Sequence, residues 1–315
     1  MLRRIVLGAF LLAGCEPDVP PPPSGGGSAP APKGTIGLSV LTLTNPFFVE
    51  IAESMKVEAA KHGYSVDTVG GEFDAARQNN QVKDFIVRKV SAIVLTPCDS
   101  KAVGPAIREA NAAGIPVFTA DIACQDPEAR VVCHVATDNY QGGRLAGGAM
   151  IEALGGTGKI VILDHPVVES VMQRTKGFRE VLAGGKIEIV AVLPGGGAKD
   201  KGQAAAQDAL QAHADLTGIF AINDPSALGA VAAVERAGKL DKIRIVGFDG
   251  APEAKVAVRD GKLYATPTQF PRKIGAETVA AIAKHFAGED VPKELLIPTS
   301  LYRKADADAD PELKR

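Results

Sequence analysis

The sequence predicts an α/β protein of two doubly wound lobes, each a parallel sheet covered by helices on both faces. Three observations carry that expectation. From Thr35 onward, apolar runs of strand length alternate with segments whose apolar residues recur at helical spacing. Gly63 and Gly114 stand where helices should stop, the place a glycine takes just past a helix C-terminus. The alternation fills two stretches of similar size, too much sheet for one compact layer, and its short connections imply right-handed βαβ units. A chain of 315 residues with 46% hydrophobic content has room for about two such domains.

Taken in order, residues 35–41 read as a first buried strand. Asn45 is a good N-cap and Pro46 falls at the first helical position, where a missing N–H costs nothing. Val49, Ile51, Ala52, Met55, Ala59 and Ala60 then mark a helix to residue 61. Strands follow at 64–69, 92–96, 116–120 and 131–136, with helices at 75–87 and 102–112 between them. The second stretch opens with a helix over 139–154 that ends at Gly155-Gly156. Strands at 159–163, 187–193, 218–222, 243–248 and 263–268 alternate there with helices at 169–182, 203–212 and 227–237, and a helix at 275–287 closes the pattern. Residues 305–315 are charged and poor in apolar groups, so this end is expected to fray.

The front of the chain reads differently. Arg3-Arg4 precede an apolar run over 5–12, far short of the ~20 residues that span a bilayer, which is the pattern of a signal peptide. Leu12-Ala13-Gly14-Cys15 resembles the lipobox of bacterial lipoproteins, which implies a diacylated Cys15 as the mature N-terminus. Residues 16–33 carry Pro20 to Pro23, Gly25 to Gly27, Pro30 and Pro32, a composition that buries nothing and forms a tether reaching on the order of 50 Å.

Several function classes are excluded. The net charge of -2 leaves no electrostatic footprint for nucleic acid. Leu154 to Ile160 is no P-loop, since Ala153 stands where Gly is needed and Ile160 where Ser or Thr is needed. No Gly-x-Ser-x-Gly elbow occurs and no Gly-x-Gly-x-x-Gly follows the first strand. His62, His134, His165, His213 and His285 show no ligand spacing, so neither metal nor cofactor is expected and the chain does not read as an enzyme. With Cys15 lipidated, Cys98, Cys124 and Cys133 leave an odd thiol. Cys124 and Cys133 flank the polar segment 125–130; a disulfide closing it and two buried thiols are both open readings.

Asp121, Asn223, Asp249 and Gln269 fall at or just beyond the carboxyl ends of predicted strands, where open α/β sheets bind ligands. Each makes more than one hydrogen bond to a polyol, and those from carboxylates are charge-assisted. Phe47 and Phe48, in the first turn after Asn45, offer flat apolar faces to the C–H side of a sugar. Taken singly, Asn45 and each Asp also read as helix caps, and both rings as core.

Four ordered motifs weigh against those single readings. Thr44-Asn45-Pro46-Phe47-Phe48, Ile222-Asn223-Asp224 with Ala227-Leu228-Gly229-Ala230, Val246-Gly247-Phe248-Asp249-Gly250, and Thr268-Gln269 with Ile274-Gly275 together resemble the ribose-type periplasmic sugar-binding proteins of bacterial ABC importers, type 1 periplasmic binding proteins. The resemblance runs from about residue 35 to residue 303. It implies a three-crossing hinge near 134–137, 266–268 and 296–298. After a signal peptide (1–15) and tether (16–33), it implies an amino lobe of 34–135 plus 268–296 and a carboxyl lobe of 136–267 plus 297–304. It implies that Asn45, Phe47, Phe48, Asp121, Asn223, Asp249 and Gln269 contact the ligand. On that reading the chain is an exported monomer, lipid-anchored at Cys15, that captures a small carbohydrate (pentose, hexose or related polyol) by hinge closure and presents it to an ABC permease. Asp249→Ala should then weaken binding at least tenfold with the fold largely kept. A periplasmic sugar sensor that hands its closed form to a chemoreceptor or sensor kinase has the same body. A LacI-type regulator shares it too, but needs a helix-turn-helix where the signal peptide and tether stand.

The departures from the family pattern bear on specificity. Ribose-type binders carry Arg directly after the strand-end Asp, and here that residue is Ile122. A second pocket Arg aligns with Met172, while Arg174 remains with a role that looks structural. A carboxyl-lobe aromatic aligns with Gly197, and a small residue near the first strand becomes Leu41. One residue is missing from the alignment around 164–172, which allows Asp164 or His165 into the cleft. Losing two guanidinium forks makes the pocket more apolar, better suited to another pentose, a deoxy-sugar or another polyol-like solute than to ribose.

Overall fold

A computed structural model describes residues 33–314. Strand β1 (Gly34–Val40) points Ile36, Leu38 and Val40 into one buried cluster, the period of two that a strand imposes. Helix α1 (Pro46–Lys61) starts on the expected cap, with Asn45 Oδ1 accepting the Phe47 N–H at 3.0 Å. There follow β2 (Tyr64–Gly70), α2 (Ala75–Val87), β3 (Ala92–Leu95), α3 (Gly104–Ala112), β4 (Val117–Ala120) and β5 (His134–Thr137).

The chain then enters a second sheet through α4 (Asn139–Leu154), β6 (Thr157–Asp164), α5 (Glu169–Leu182), β7 (Lys186–Pro194), α6 (Lys199–Ala212), β8 (Gly218–Ala221), α7 (Asp224–Arg236), β9 (Arg244–Val246), α8 (Pro252–Arg259) and β10 (Ala265–Thr268). It returns to the first sheet with α9 (Pro271–Ala287) and β11 (Glu294–Ile297), and crosses a third time into β12 (Ser300–Arg303) and α10 (Lys304–Ala309).

The first sheet has the order β11-β5-β4-β3-β1-β2 and is parallel throughout. The second has the order β12-β10-β9-β8-β6-β7, parallel except for β12, which runs against β10. Helices α1 and α9 cover one face of the first sheet and α2 and α3 the other; α4 and α5 lie on one face of the second, α6 and α7 on the other.

The three crossings are tied to one another. Thr137 Oγ1 donates to Gln269 Oε1 at 2.7 Å, Thr299 Oγ1 donates to the Thr268 carbonyl at 2.6 Å, and the Thr299 N–H donates to Gln141 Oε1 at 2.9 Å. On the side away from the hinge the lobes also meet. The Ser100 N–H donates to the Val167 carbonyl at 3.0 Å, and Ser100 Oγ accepts the Glu169 N–H at 2.9 Å. This is a closed arrangement of the lobes.

One open reading is decided and one expectation is corrected. Cys98, Cys124 and Cys133 are free thiols. Cys133 packs on the α9 side of the first sheet with Phe118 and Val135, whereas Cys124 packs on the α3 side with Val131 and Ala129, so the sheet separates the two sulfurs. The end of the chain is not frayed either. Ala307 in α10 is fully buried in the second lobe, Tyr302 donates to Asp310 Oδ2 at 2.8 Å, and Arg259 Nη1 donates to the Leu313 carbonyl at 3.3 Å. One buried alanine among charged residues leaves almost no compositional trace. Helix α8 and the short strands β11 and β12 add to the elements expected from the sequence.

Candidate ligand-binding site

Carboxyl ends of strands from both sheets converge on one cleft between the lobes, the place where open α/β sheets bind ligands. It is lined by Asn45, Phe47, Phe48, Asp121, Asn223, Asp249 and Gln269, so the structure brings together all the residues expected to contact ligand. Ile122, His165, Arg174, Leu41 and Gly197 line it too. Met172 does not: Val168, Ser170 and Val171 take that side of α5, and the Met172 sulfur lies against Gln125 Nε2 at 4.0 Å. One step along a helix turns a side chain by about 100°, which a loose alignment cannot resolve. Asp164 also stays out, buried with its Oδ1 accepting the His165 N–H at 2.9 Å and Thr175 Oγ1 at 3.3 Å.

Most of the polar groups do two jobs. Asn45 and Asn223 cap α1 and α7 through Oδ1, the latter accepting the Ser226 N–H at 3.0 Å. Asn223 Nδ2 further donates to the Gly197 carbonyl at 2.9 Å. Gln269 Nε2 donates to Asp249 Oδ1 at 2.7 Å, linking the hinge to the carboxyl lobe. Phe47 and Phe48 meet edge to face, centroids 5.2 Å apart, with Phe48 buried and Phe47 half-buried.

Arg174 joins a structural and a site role. It is 4% exposed, its Nε donates to Asn139 Oδ1 at 2.8 Å, and its Nη1 donates to the Ile222 carbonyl at 2.9 Å and lies 3.4 Å from Asp249 Oδ1. The guanidinium carbon sits 3.9 Å over the Phe248 ring. Two buried acids therefore share one buried cation.

Asp121 takes a left-handed backbone, φ 64°, at the end of β4, and Asp249 sits at φ 131°. Strain at non-glycine residues of this kind costs of order 1–3 kcal/mol and gathers at functional sites. Asp121 Oδ1 is buried with no hydrogen-bond partner among the described residues, as is His165 Nε2. A buried acceptor left in that state calls for a donor from a ligand.

Burial pushes the Asp121 carboxyl up to about 7; Arg174 opposes the rise and Asp249 adds to it. Asp249 is raised to about 6, burial outweighing Arg174 and the Gln269 bond. Between the ordinary carboxylate range near 4 and these values the folded chain holds protons that the unfolded chain has lost. Stability of the ligand-free protein therefore falls as pH rises from about 4 to about 7, by at most ~1.4 kcal/mol per pH unit for each proton. Thermal melts across that window should show the decline, and Asp121→Asn should flatten it. A wild-type melting temperature that rises steadily from pH 5 to pH 7 contradicts the assignment.

Two residues of this site escaped the reading of the sequence. Asp224 is fully buried. Its Oδ1 accepts the Phe248 N–H at 3.0 Å and Thr266 Oγ1 at 2.8 Å, and its Oδ2 accepts the Ala251 N–H at 2.8 Å, so it positions the loop that carries Asp249. Its place in the Ile222-Asn223-Asp224 motif was the signal. Phe73 lines the cleft from the loop after β2. The signal there was position alone, since that loop also follows the carboxyl end of a parallel strand.

Residues 36–290 match the family model described as periplasmic binding protein domain. The chain is 38% identical over 273 residues to the ribose import binding protein RbsB of Escherichia coli, covering 86% of this chain and 91% of that protein. It is 35% identical over 298 residues to the RbsB of Bacillus subtilis, covering 94% and 96%. Among solved structures, an ABC transporter solute-binding protein of Agrobacterium vitis with bound D-fucose superposes with a TM-score of 0.83 at 33% identity, covering 89% of this chain and 99% of that one.

Proposed function

We infer the task of this chain from the family to which it belongs, the periplasmic binding proteins, and from the cleft described above. It is the solute-binding component of an ABC importer and captures a small carbohydrate between its lobes. The relatives it matches are named as import binding proteins for ribose, and structural neighbours hold bound sugars. The observation that carries the reading is the convergence of Asn45, Phe47, Phe48 and Asp121 from one lobe with Asn223 and Asp249 from the other, and Gln269 at the hinge between them.

The mechanism is hinge closure. A ligand that contacts both lobes binds the closed form better than the open one, and the difference shifts the population. Asp121 and Asp249 accept hydroxyls, Asn45 and Asn223 donate from the amide hydrogens their caps leave free, and Phe47 and Phe48 take the C–H face. Two carboxylates beside one guanidinium disfavour an anionic sugar, so the ligand is neutral. The closed body then presents itself to the permease. Anchoring at Cys15, supported by the lipobox, and action as a monomer belong to the same proposal; Cys15 and residues 16–32 lie outside the described residues.

A thermal-shift screen against pentoses, hexoses, deoxy-sugars and polyols tests it, followed by calorimetry on each hit. A ligand at 100 times its Kd should add about 2.7 kcal/mol of stability. The expected outcome is a hit among neutral monosaccharides. Silence across the panel refutes carbohydrate capture.

A further inference from the structure

Phe73 belongs to none of the motifs that define the site, yet its ring is held in the cleft at a conformational cost. Glu72 at φ 54° and Phe73 at φ 61° are consecutive left-handed residues, a backbone that bulky side chains rarely adopt. The loop is pinned there. Glu72 accepts Thr42 Oγ1 at 2.5 Å and the Leu43 N–H at 3.1 Å, and the Phe73 N–H donates to the Leu41 carbonyl at 3.1 Å.

So placed, the ring leaves its own lobe and meets the other. It contacts His165 edge-on with centroids 6.3 Å apart. A Cβ built on Gly197 would lie 3.9 Å from Phe73 Cε1, and Gly197 itself sits at φ 70°, a backbone that resists a side chain. An aromatic wall on this side of the cleft therefore comes from the amino lobe. His165 Nε2 lies buried beside it with no partner among the described residues, and the neighbouring lining side chains Leu41 and Val168 offer none.

We propose that Phe73 and His165 form a specificity gate across the mouth of the cleft, Phe73 covering the C–H face of the ligand over Gly197 and His165 Nε2 hydrogen-bonding one ligand hydroxyl. The inference rests on carbohydrate capture and narrows it. The preferred ligand is a neutral monosaccharide with an apolar face toward Phe73 and a hydroxyl within reach of His165. Because the two residues come from different lobes, the gate is complete only when the lobes close.

Calorimetry on the full chain with a panel of pentoses, hexoses, 6-deoxyhexoses and polyols tests it, comparing wild type with Phe73→Ala, His165→Leu and His165→Gln. Phe73 is 37% exposed, so its truncation leaves the core intact. For the sugar the wild type prefers, Phe73→Ala and His165→Leu should each lower affinity at least tenfold, while poorly bound sugars lose less than about threefold. His165→Gln, which keeps a polar group at similar reach, should restore most of the loss. If both variants keep the wild-type affinities, or lower every sugar by one common factor, the gate is overturned and carbohydrate capture stands. If the wild type binds no sugar of the panel, both fall together.

Discussion

Asp249→Ala should weaken sugar binding at least 100-fold and destabilise the ligand-free chain by about 3 kcal/mol. The affinity loss follows from removing an acceptor of charge-assisted hydrogen bonds, worth about 1.5–3 kcal/mol each, since about 2.7 kcal/mol is already 100-fold. The loss of stability is what tertiary contacts add to the sequence-level expectation of a largely kept fold. Asp249 Oδ1 accepts Gln269 Nε2 and is the direct ion partner of the buried Arg174, so alanine removes the carboxylate paired with that cation and releases the hinge glutamine. Asp249→Asn separates the two effects. It keeps the shape and one acceptor oxygen, so it should hold most of the stability while still costing at least tenfold in affinity. Calorimetry and urea denaturation on both variants decide; wild-type affinity in Asp249→Ala places the site elsewhere.

Gly143→Ala should cost about 3 kcal/mol or more of stability and weaken binding as well. A Cβ at this position on α4 would overlap the backbone carbonyl of Arg174 on α5, and one at Gly177 would overlap that of Tyr140. The backbones of the two helices are thus in contact through reciprocal glycines, and alanine must drive them apart. Arg174 is the residue displaced. It spans from Asn139 at the start of α4 to the Ile222 carbonyl and Asp249, so a shift of α5 pulls the guanidinium away from the acids of the cleft. The control lies on the same helix. Nothing stands within 4 Å of a Cβ on Gly148, so Gly148→Ala should stabilise by about 0.5–1 kcal/mol through helix propensity. Chemical denaturation of the two variants should give opposite signs. Equal effects would show that helix propensity, and not the α4–α5 contact, sets the stability there.

The two lobes and most of the cleft were legible in the sequence because the signals are local. A strand shows its period within 7 residues, as β1 does, and Asn45-Pro46 announces the start of α1 by cap chemistry alone. In a parallel sheet the residue after a strand end is placed at the ligand side by topology, so Asp121, Asn223, Asp249 and Gln269 could be named before any contact was known. Ordered motifs then tied these positions into one site.

What the sequence could not determine depends on residues distant along the chain. Whether Cys124 and Cys133 can pair depends on which side of the sheet each sulfur faces, and whether Val171 or Met172 reaches the cleft depends on the rotation of α5 against α4. Ala307 is buried because the second lobe happens to offer a surface to α10. Phe73 is the sharpest case. Its composition and spacing are those of an ordinary loop residue, and it becomes a wall of the cleft only because Glu72 is held by Thr42 and because Gly197 and His165 of the other lobe come to meet it. The elements, their order and the positions at strand ends follow from neighbours in the chain, and so could be read before the fold was known. Tertiary structure alone decided burial, pairing and the closing of the cleft, because each is a contact between segments that the chain brings together only after it has folded.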